Sequence, residues 1–376
     1  MTKNKLLIIA LLLMSKGLSF AQKKIQQDFH LLVGTYTTGK SEGIYTFKFN
    51  VKTGEFSPES IAKNVVNPSF LAVSPNQKYV YSAGEVDKNG AVYAFSFDKK
   101  KGSLTQLNTQ SSNGNFPCHV AIDKTGKWVI AGNYGAGSLT VLPVESNGSL
   151  GSPIQTIQHE GKGTNPSRQD NPHVHSINIA PNNIDVFVPD LGTDKIMTYS
   201  LDAKTGKLIN GIPAFTKVQD GSGPRHFTIH PNGKFAYVIQ ELTGLVTAFN
   251  YQKGSLTALQ SISTLPEGYT GDNSCADIHI SPDGKFLYGS NRFHDSIVIY
   301  AIDAKTGKLT YVANQSVMGK VPRNFMIDPT GNFVLVANQK TDNIVIFKRD
   351  AQKGTLTPTG KEILVPTPVC LKMISF

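Results

Sequence analysis

A short turn that ends in glycine and a hydrophobic or aromatic residue recurs along the chain as VKTGEF, KKKGSL, ESNGSL, AKTGKL, YQKGSL, AKTGKL and AQKGTL. Its glycines stand at Gly54, Gly102, Gly148, Gly206, Gly254, Gly307 and Gly354, separated by 46 to 58 residues. Seven copies of one unit of about 50 residues overrule the two or three domains that a length of 376 would suggest. Each turn follows an alternating apolar run, such as residues 91–97 (AVYAFSF) or 296–302 (SIVIYAI). Earlier in each repeat lies a second phrase, seen in HVAIDKTGKWVIAGN, HFTIHPNGKFAYVIQ and DIHISPDGKFLYGSN. It reads as a strand, a tight turn and an antiparallel return strand. Four short strands repeated seven times predict an all-β, seven-bladed β-propeller.

The ends of the chain predict how the ring closes. HLLVGTYTTG near the N-terminus matches the return strand of the phrase (compare VIAGNYGAG), so the first repeat lacks its opening strand. The segment 367–376, TPVCLKMISF, reads as an opening strand with nothing after it. Pairing the two in one blade removes exposed edges that would invite aggregation. Ahead of this, Lys3 and Lys5, an apolar run over 6–14 and Ser19-Phe20-Ala21 have the form of a signal peptide cut after Ala21. The predicted organisation is therefore a leader over 1–21 and a single propeller over 22–376, exported to the periplasm or beyond and not inserted in a membrane after cleavage.

Charge argues against a nucleic-acid partner. The formal charge of +10, or +7 without the three leader lysines, is lysine scattered over turns, with no basic block. Three cysteines far apart, Cys118, Cys275 and Cys370, leave room for one disulfide but not a disulfide framework.

In a propeller the opening strand of each blade lines the central channel, so equivalent positions of different repeats converge on one axis. With the turn position (Pro75, Lys124, Pro181, Pro231, Pro282, Pro329) as register, six residues earlier stand Ser69, Cys118, His175, Arg225, Ala276 and Arg323. Five residues earlier stand Phe70, His119, Ser176, His226, Asp277 and Asn324. Ten residues later, where the return strand reaches the same mouth, stand Glu85, Tyr134, Leu191, Glu241, Arg292 and Gln339. The chain has only five arginines, and Arg225, Arg292 and Arg323 fall in these columns, while Arg168 lies in the long loop 159–171. Guanidinium is the better fork for a carboxylate or phosphate. The pattern predicts an anion-binding cup rimmed by Arg225, Arg292 and Arg323, with His175, Glu241 and Asp277 beside them, and with His119 and Arg168 as further substrate contacts. Polar residues at blade tops also serve to tie blades together, but a purely structural role gives no reason to gather a scarce residue at one mouth.

The stretch DNPHVHS places His173 and His175 two apart on an expected strand, hence on one side of it. With no third ligand at metal spacing, neither a metal nor a cofactor is expected. His226, His230 and His279 read as ordinary packed or solvent-facing strand residues.

These residues carry a resemblance. QHEGKGTNPSRQDNPHVHS, GSGPRHFTIHPNGKFAYVIQE, ADIHISPDGKFLYGSNR, VPRNFMIDPTG and TPVCLKM together resemble the seven-bladed lactonase family, which includes cycloisomerase-type 6-phosphogluconolactonases and carboxy-cis,cis-muconate cyclases. The resemblance covers nearly all of 22–376. It implies hydrolysis of a sugar-acid lactone, phosphorylated or not, with active-site residues at His175, Arg225, Glu241 and Arg292; a monomer without a cofactor is expected. Arg323 is added from its register as an anion contact. Two other readings are a muconate-type lactonising cycloisomerase and a non-catalytic binding propeller; no G-x-S-x-G elbow points to a serine nucleophile.

Overall fold

A computed structural model describes residues 27–376; the signal-peptide expectation over 1–21 lies outside them. The described residues form seven four-stranded antiparallel sheets and no helix. The blade that closes the ring is ordered Pro368–Ser375, Asp28–Thr35, Gly43–Asn50, Phe56–Lys63, with the C-terminal strand innermost. Its register pairs Leu31 with Met373 and Gly34 with Cys370, so the expected union of the two ends is present.

The core is divided between the blades. Seven hydrophobic clusters each lie at one blade–blade interface; one packs Phe235, Tyr237 and Ile239 of the fifth blade on Leu287, Val298 and Tyr300 of the sixth. The recurring turn glycines are locks at these interfaces. Gly307 has φ +71°, and a Cβ there would stand 2.3 Å from the Phe235 ring of the preceding blade. Its carbonyl also accepts a hydrogen bond from the Tyr237 hydroxyl at 2.9 Å. Gly354 is treated alike by Phe286 and by Tyr288, at 2.8 Å. A left-handed backbone in contact with the next blade admits glycine alone at low cost, which accounts for the period seen in the sequence.

The inner strands begin irregularly, and this positions the site. Pro224 pairs with Gln240 and His226 with Ile239, leaving Arg225 as the extra residue of a bulge. Ser69, Cys118 and Arg323 occupy the same bulged place in their blades. Just ahead of each bulge a residue preceding proline takes positive φ: Asn67 at 42°, Phe116 at 48°, Gly223 at 63° and Val321 at 59°. Bulges re-aim side chains and gather beside active sites, and a β-branched residue such as Val321 in this region is strained.

The fourth blade departs from the expected strand. His173–Ser176 is not regular strand; Val174 makes an isolated bridge to Asp190, and the inner strand shrinks to Asn178–Ile179. The Asp190 carboxylate holds the segment instead, accepting from the His173 amide at 2.8 Å and facing His159 Nδ1 at 2.7 Å.

Candidate active site

At the mouth where the inner strands begin, a cavity of about 130 Å³ is lined by Glu85, Cys118, Tyr134, Arg168, His175, Glu241, Arg292 and Arg323. That is below the ~300 Å³ typical of drug-sized ligands, so the cup suits a small polar molecule. The bulged column and the return-strand column meet here as the register predicts.

Glu241 organises the arginines. Its Oε2 accepts from Arg225 Nε at 2.8 Å and lies 2.8 Å from Arg292 Nη2, and its Oε1 accepts from Arg168 Nη2 at 2.6 Å. Burial alone would raise the Glu241 pKa; the guanidiniums of Arg292, Arg225 and Arg168 more than offset that and hold it at about 2. Burial and its cationic neighbours lower Arg292 to about 10, which leaves it charged at neutral pH. Arg225 is only 2% exposed and does not stand on the rim: it lies under the cup, with Nη1 donating to the Ala276 carbonyl at 2.7 Å. Arg168 reaches the cup because its loop is pinned: the neighbouring Gln169 donates to Asp194 at 2.7 Å and to the Leu191 carbonyl at 2.9 Å.

Arg323 is different. Among the described residues it has no hydrogen bond and no ion pair; its guanidinium carbon lies 5.5 Å from the centre of the Tyr36 ring. The Tyr36 hydroxyl donates to Glu85 at 2.8 Å. His175 is also uncommitted. Its imidazole has one polar neighbour, Cys118 Sγ at 3.8 Å from Nδ1, and stacks edge-on against Tyr134. Burial, then the charge of Arg225, hold it neutral, well below the usual histidine range. Burial likewise raises the Cys118 thiol, which disfavours a thiolate nucleophile.

Asp277 and His119 are not in the cup. Both belong to the column five residues before the turn; His119 is one past the bulge at Cys118, Asp277 lies within the wider irregularity between Cys275 and Ile278, and both line a separate cavity further along the channel. Asp277 lies 2.7 Å from His226 Nδ1 and 2.9 Å from His279 Nε2, while His119 stacks on Phe70 at 4.0 Å. His226 and His279 are thus partners of a buried carboxylate, not ordinary strand residues. His173 does not share a site with His175: its Nδ1 faces the Tyr134 carbonyl at 2.9 Å and its ring stacks on Tyr134. Among the described residues no three His, Cys, Asp or Glu side chains are arranged to hold a metal ion. All three cysteines are free and buried.

Sequence reasoning left Glu85 and Tyr134 in their column without a role and passed over Tyr36. Tyr36 was within reach, since TYTTG aligns with NYGAG and sets it in the column of Tyr134.

Residues 30–373 match the family model described as Lactonase, 7-bladed beta-propeller. The chain is 39% identical over 297 residues to a 6-phosphogluconolactonase of Bacillus subtilis, covering 78% of this chain and 83% of that one. It is 40% identical over 304 residues to a 6-phosphogluconolactonase of Formosa agariphila, covering 79% and 86%. The solved structure of a periplasmic gluconolactonase from Pseudomonas aeruginosa superposes with a TM-score of 0.88 at 34% identity, covering 93% of this chain and 99% of that one.

Proposed function

We propose that this chain, which belongs to the seven-bladed β-propeller lactonase family and is a lactone-hydrolysing enzyme, acts on an unphosphorylated aldonolactone outside the cytoplasm. One observation carries the chemistry: His175, neutral and without an N or O partner among the described residues, lines the same small cavity as Arg323, the guanidinium that makes no hydrogen bond or ion pair among them. Activating water requires an unoccupied base, and the tetrahedral intermediate requires an unoccupied cation.

In this mechanism a water molecule gives a proton to the His175 imidazole as its oxygen adds to the lactone carbonyl. Arg323 meets the negative charge that develops on the carbonyl oxygen. Collapse breaks the bond to the ring oxygen and the imidazolium returns its proton there, giving a free hydroxyl and a carboxylic acid, which then releases the second water proton to solvent and leaves as the carboxylate. Glu241 is a poor base, since three guanidiniums hold it as a carboxylate with a pKa of about 2. It acts as a positioning residue that fixes Arg225 beneath the cup and Arg292 in its wall, so that Arg292 presents its remaining Nη1 donors to the substrate.

The substrate class follows from the same count. Arg168, Arg225 and Arg292 are already bonded to Glu241, which leaves a single unpaired guanidinium where a phosphate dianion would call for more. The leader-like segment 1–21 and the likeness to a gluconolactonase described as periplasmic support the same choice. The experiment is acid release from fresh glucono-δ-lactone and from 6-phosphogluconolactone, for the wild type and His175→Gln. Faster turnover of the unphosphorylated lactone, abolished in the folded variant, is expected. Preference for the phosphorylated lactone would overturn the substrate assignment, and an undiminished His175→Gln enzyme would overturn the assigned base.

A further inference from the structure

Beyond the cup, the channel holds a second and larger polar cavity. Its volume is about 400 Å³, and it is lined by the later residues of the inner strands of six blades, among them Phe70, His119, Asn178, His226, His279 and Lys372. The inner strands run away from the cup, so this cavity lies toward the other mouth. Between the two sits a plug: Phe70 and His226 line the lower cavity and also a void of about 10 Å³ beneath His175, Arg225 and Arg323.

The donors and acceptors here are unevenly matched. Asp277 is saturated: it lies within hydrogen-bond distance of His226 Nδ1 and His279 Nε2 and accepts from Asn324 Nδ2 and from the amides of Ile278 and Phe325. Its negative charge is therefore fully committed. Lys372 is the reverse. Its ammonium lies over the Phe70 ring at 4.8 Å, and among the described residues it has no hydrogen bond and no ion pair. Beside it, His119 accepts the Ile177 amide proton on Nδ1 at 3.3 Å, which fixes the neutral tautomer with its N–H on Nε2. His226, which pairs with Asp277 through Nδ1, keeps Nε2 as an acceptor, and Asn178 Oδ1 has no hydrogen-bond partner among the described residues, its Nδ2 alone being engaged.

We infer that this cavity is a second binding site, for a small hydroxylated carboxylate, with Lys372 and His119 Nε2–H holding the carboxylate and His226 and Asn178 accepting from its hydroxyls. A carboxylate supplies the negative charge that Lys372 lacks, and the acceptors on the wall call for a ligand that carries donors as well. A bare anion leaves those acceptors unmet, and an apolar ligand leaves all of them unmet. The site stands on its own lining residues and does not depend on the reaction assigned to the cup.

The test is a titration of the whole protein, ¹⁵N-labelled at histidine, with sodium D-gluconate, followed through the imidazole resonances of His119, His226 and His175. Sodium chloride at equal ionic strength is the control, and Lys372→Met and Arg323→Gln are the variants. Saturable shifts at His119 and His226 are expected in the wild type and in Arg323→Gln. Lys372→Met, whose unperturbed spectrum would show an intact fold, is expected to bind about 10- to 100-fold more weakly, the loss of one charge-assisted hydrogen bond. Shifts at His175 alone would place gluconate only in the cup. That result, equal shifts with chloride, or wild-type binding by Lys372→Met would each overturn the assignment.

Discussion

Arg225 and Arg292 share one acceptor: each holds a guanidinium nitrogen 2.8 Å from Oε2 of Glu241. Two cations brought this close are held by the anion between them, and Arg168 completes the cluster from the other oxygen. Removing one partner of a buried charge cluster costs about 3–5 kcal/mol, because the others are left uncompensated. Glu241→Ala is expected to lose stability of that order, read by chemical denaturation, and most of its lactonase activity with it. A stable Glu241→Ala protein would show that the arginines do not need the carboxylate to hold them.

Arg323→Gln separates chemistry from scaffold. Because Arg323 makes no ion pair with the described residues, stability is expected to change by less than ~1 kcal/mol. Loss of the group facing the oxyanion is expected to lower kcat by roughly 10²–10³-fold. A variant that keeps full activity would transfer the role to Arg292.

Acid sensitivity follows from the buried histidines. His175, His119 and His226 are all depressed, chiefly by burial, with His226 at about 4. Below pH ~6.5 the unfolded chain takes up protons at these sites while the folded protein does not, so stability falls as pH falls. Glu241 adds its own loss as pH drops from about 4.5 toward 2. Denaturation midpoints measured from pH 8 to 4 are expected to decline steadily below 6.5. The acid limb of kcat is expected below the ordinary histidine range, since His175 stays unprotonated there; a limb at or above 6.5 would count against His175 as the base.

Gly307→Ala tests the locks between blades. A left-handed backbone costs an L-residue about 1–2 kcal/mol, and the new methyl would meet the Phe235 ring at 2.3 Å. Overpacking adds roughly 1–3 kcal/mol. A fall in stability of this combined order is expected, with kinetics of the surviving fold unchanged, because the turn is remote from the cup.

The sequence made the architecture plain because each blade repeats the same physical problem. All seven turn glycines have positive φ, and at five of them, Gly54, Gly148, Gly206, Gly307 and Gly354, a Cβ would meet an aromatic ring of the neighbouring blade, so the period survives divergence elsewhere. The cup was legible for the same reason: the register identifies His175, Arg225, Glu241, Arg292 and Arg323 without coordinates. It failed one residue further on. Asp277 and His119 were assigned to the cup because regular alternation cannot reveal a bulge, and the bulge decides which of two adjacent residues faces which cavity. The pinning of Arg168 by Gln169 and Asp194 was also hidden, since it joins a loop to a turn 25 residues away. In the fourth blade, the Asp190 carboxylate replaces strand pairing, and no period announces such a substitution.

The blade that unites Pro368–Ser375 with Asp28–Thr35 joins segments made at opposite ends of synthesis. Until the later segment has been translated, the ring lacks the inner wall of one blade, and the buried faces of Leu31, Leu32 and Val33 have no permanent cover. A ribosome-bound chain therefore remains an open, unfinished circle however many blades have formed. Commitment to the closed form waits on the strand Pro368–Ser375.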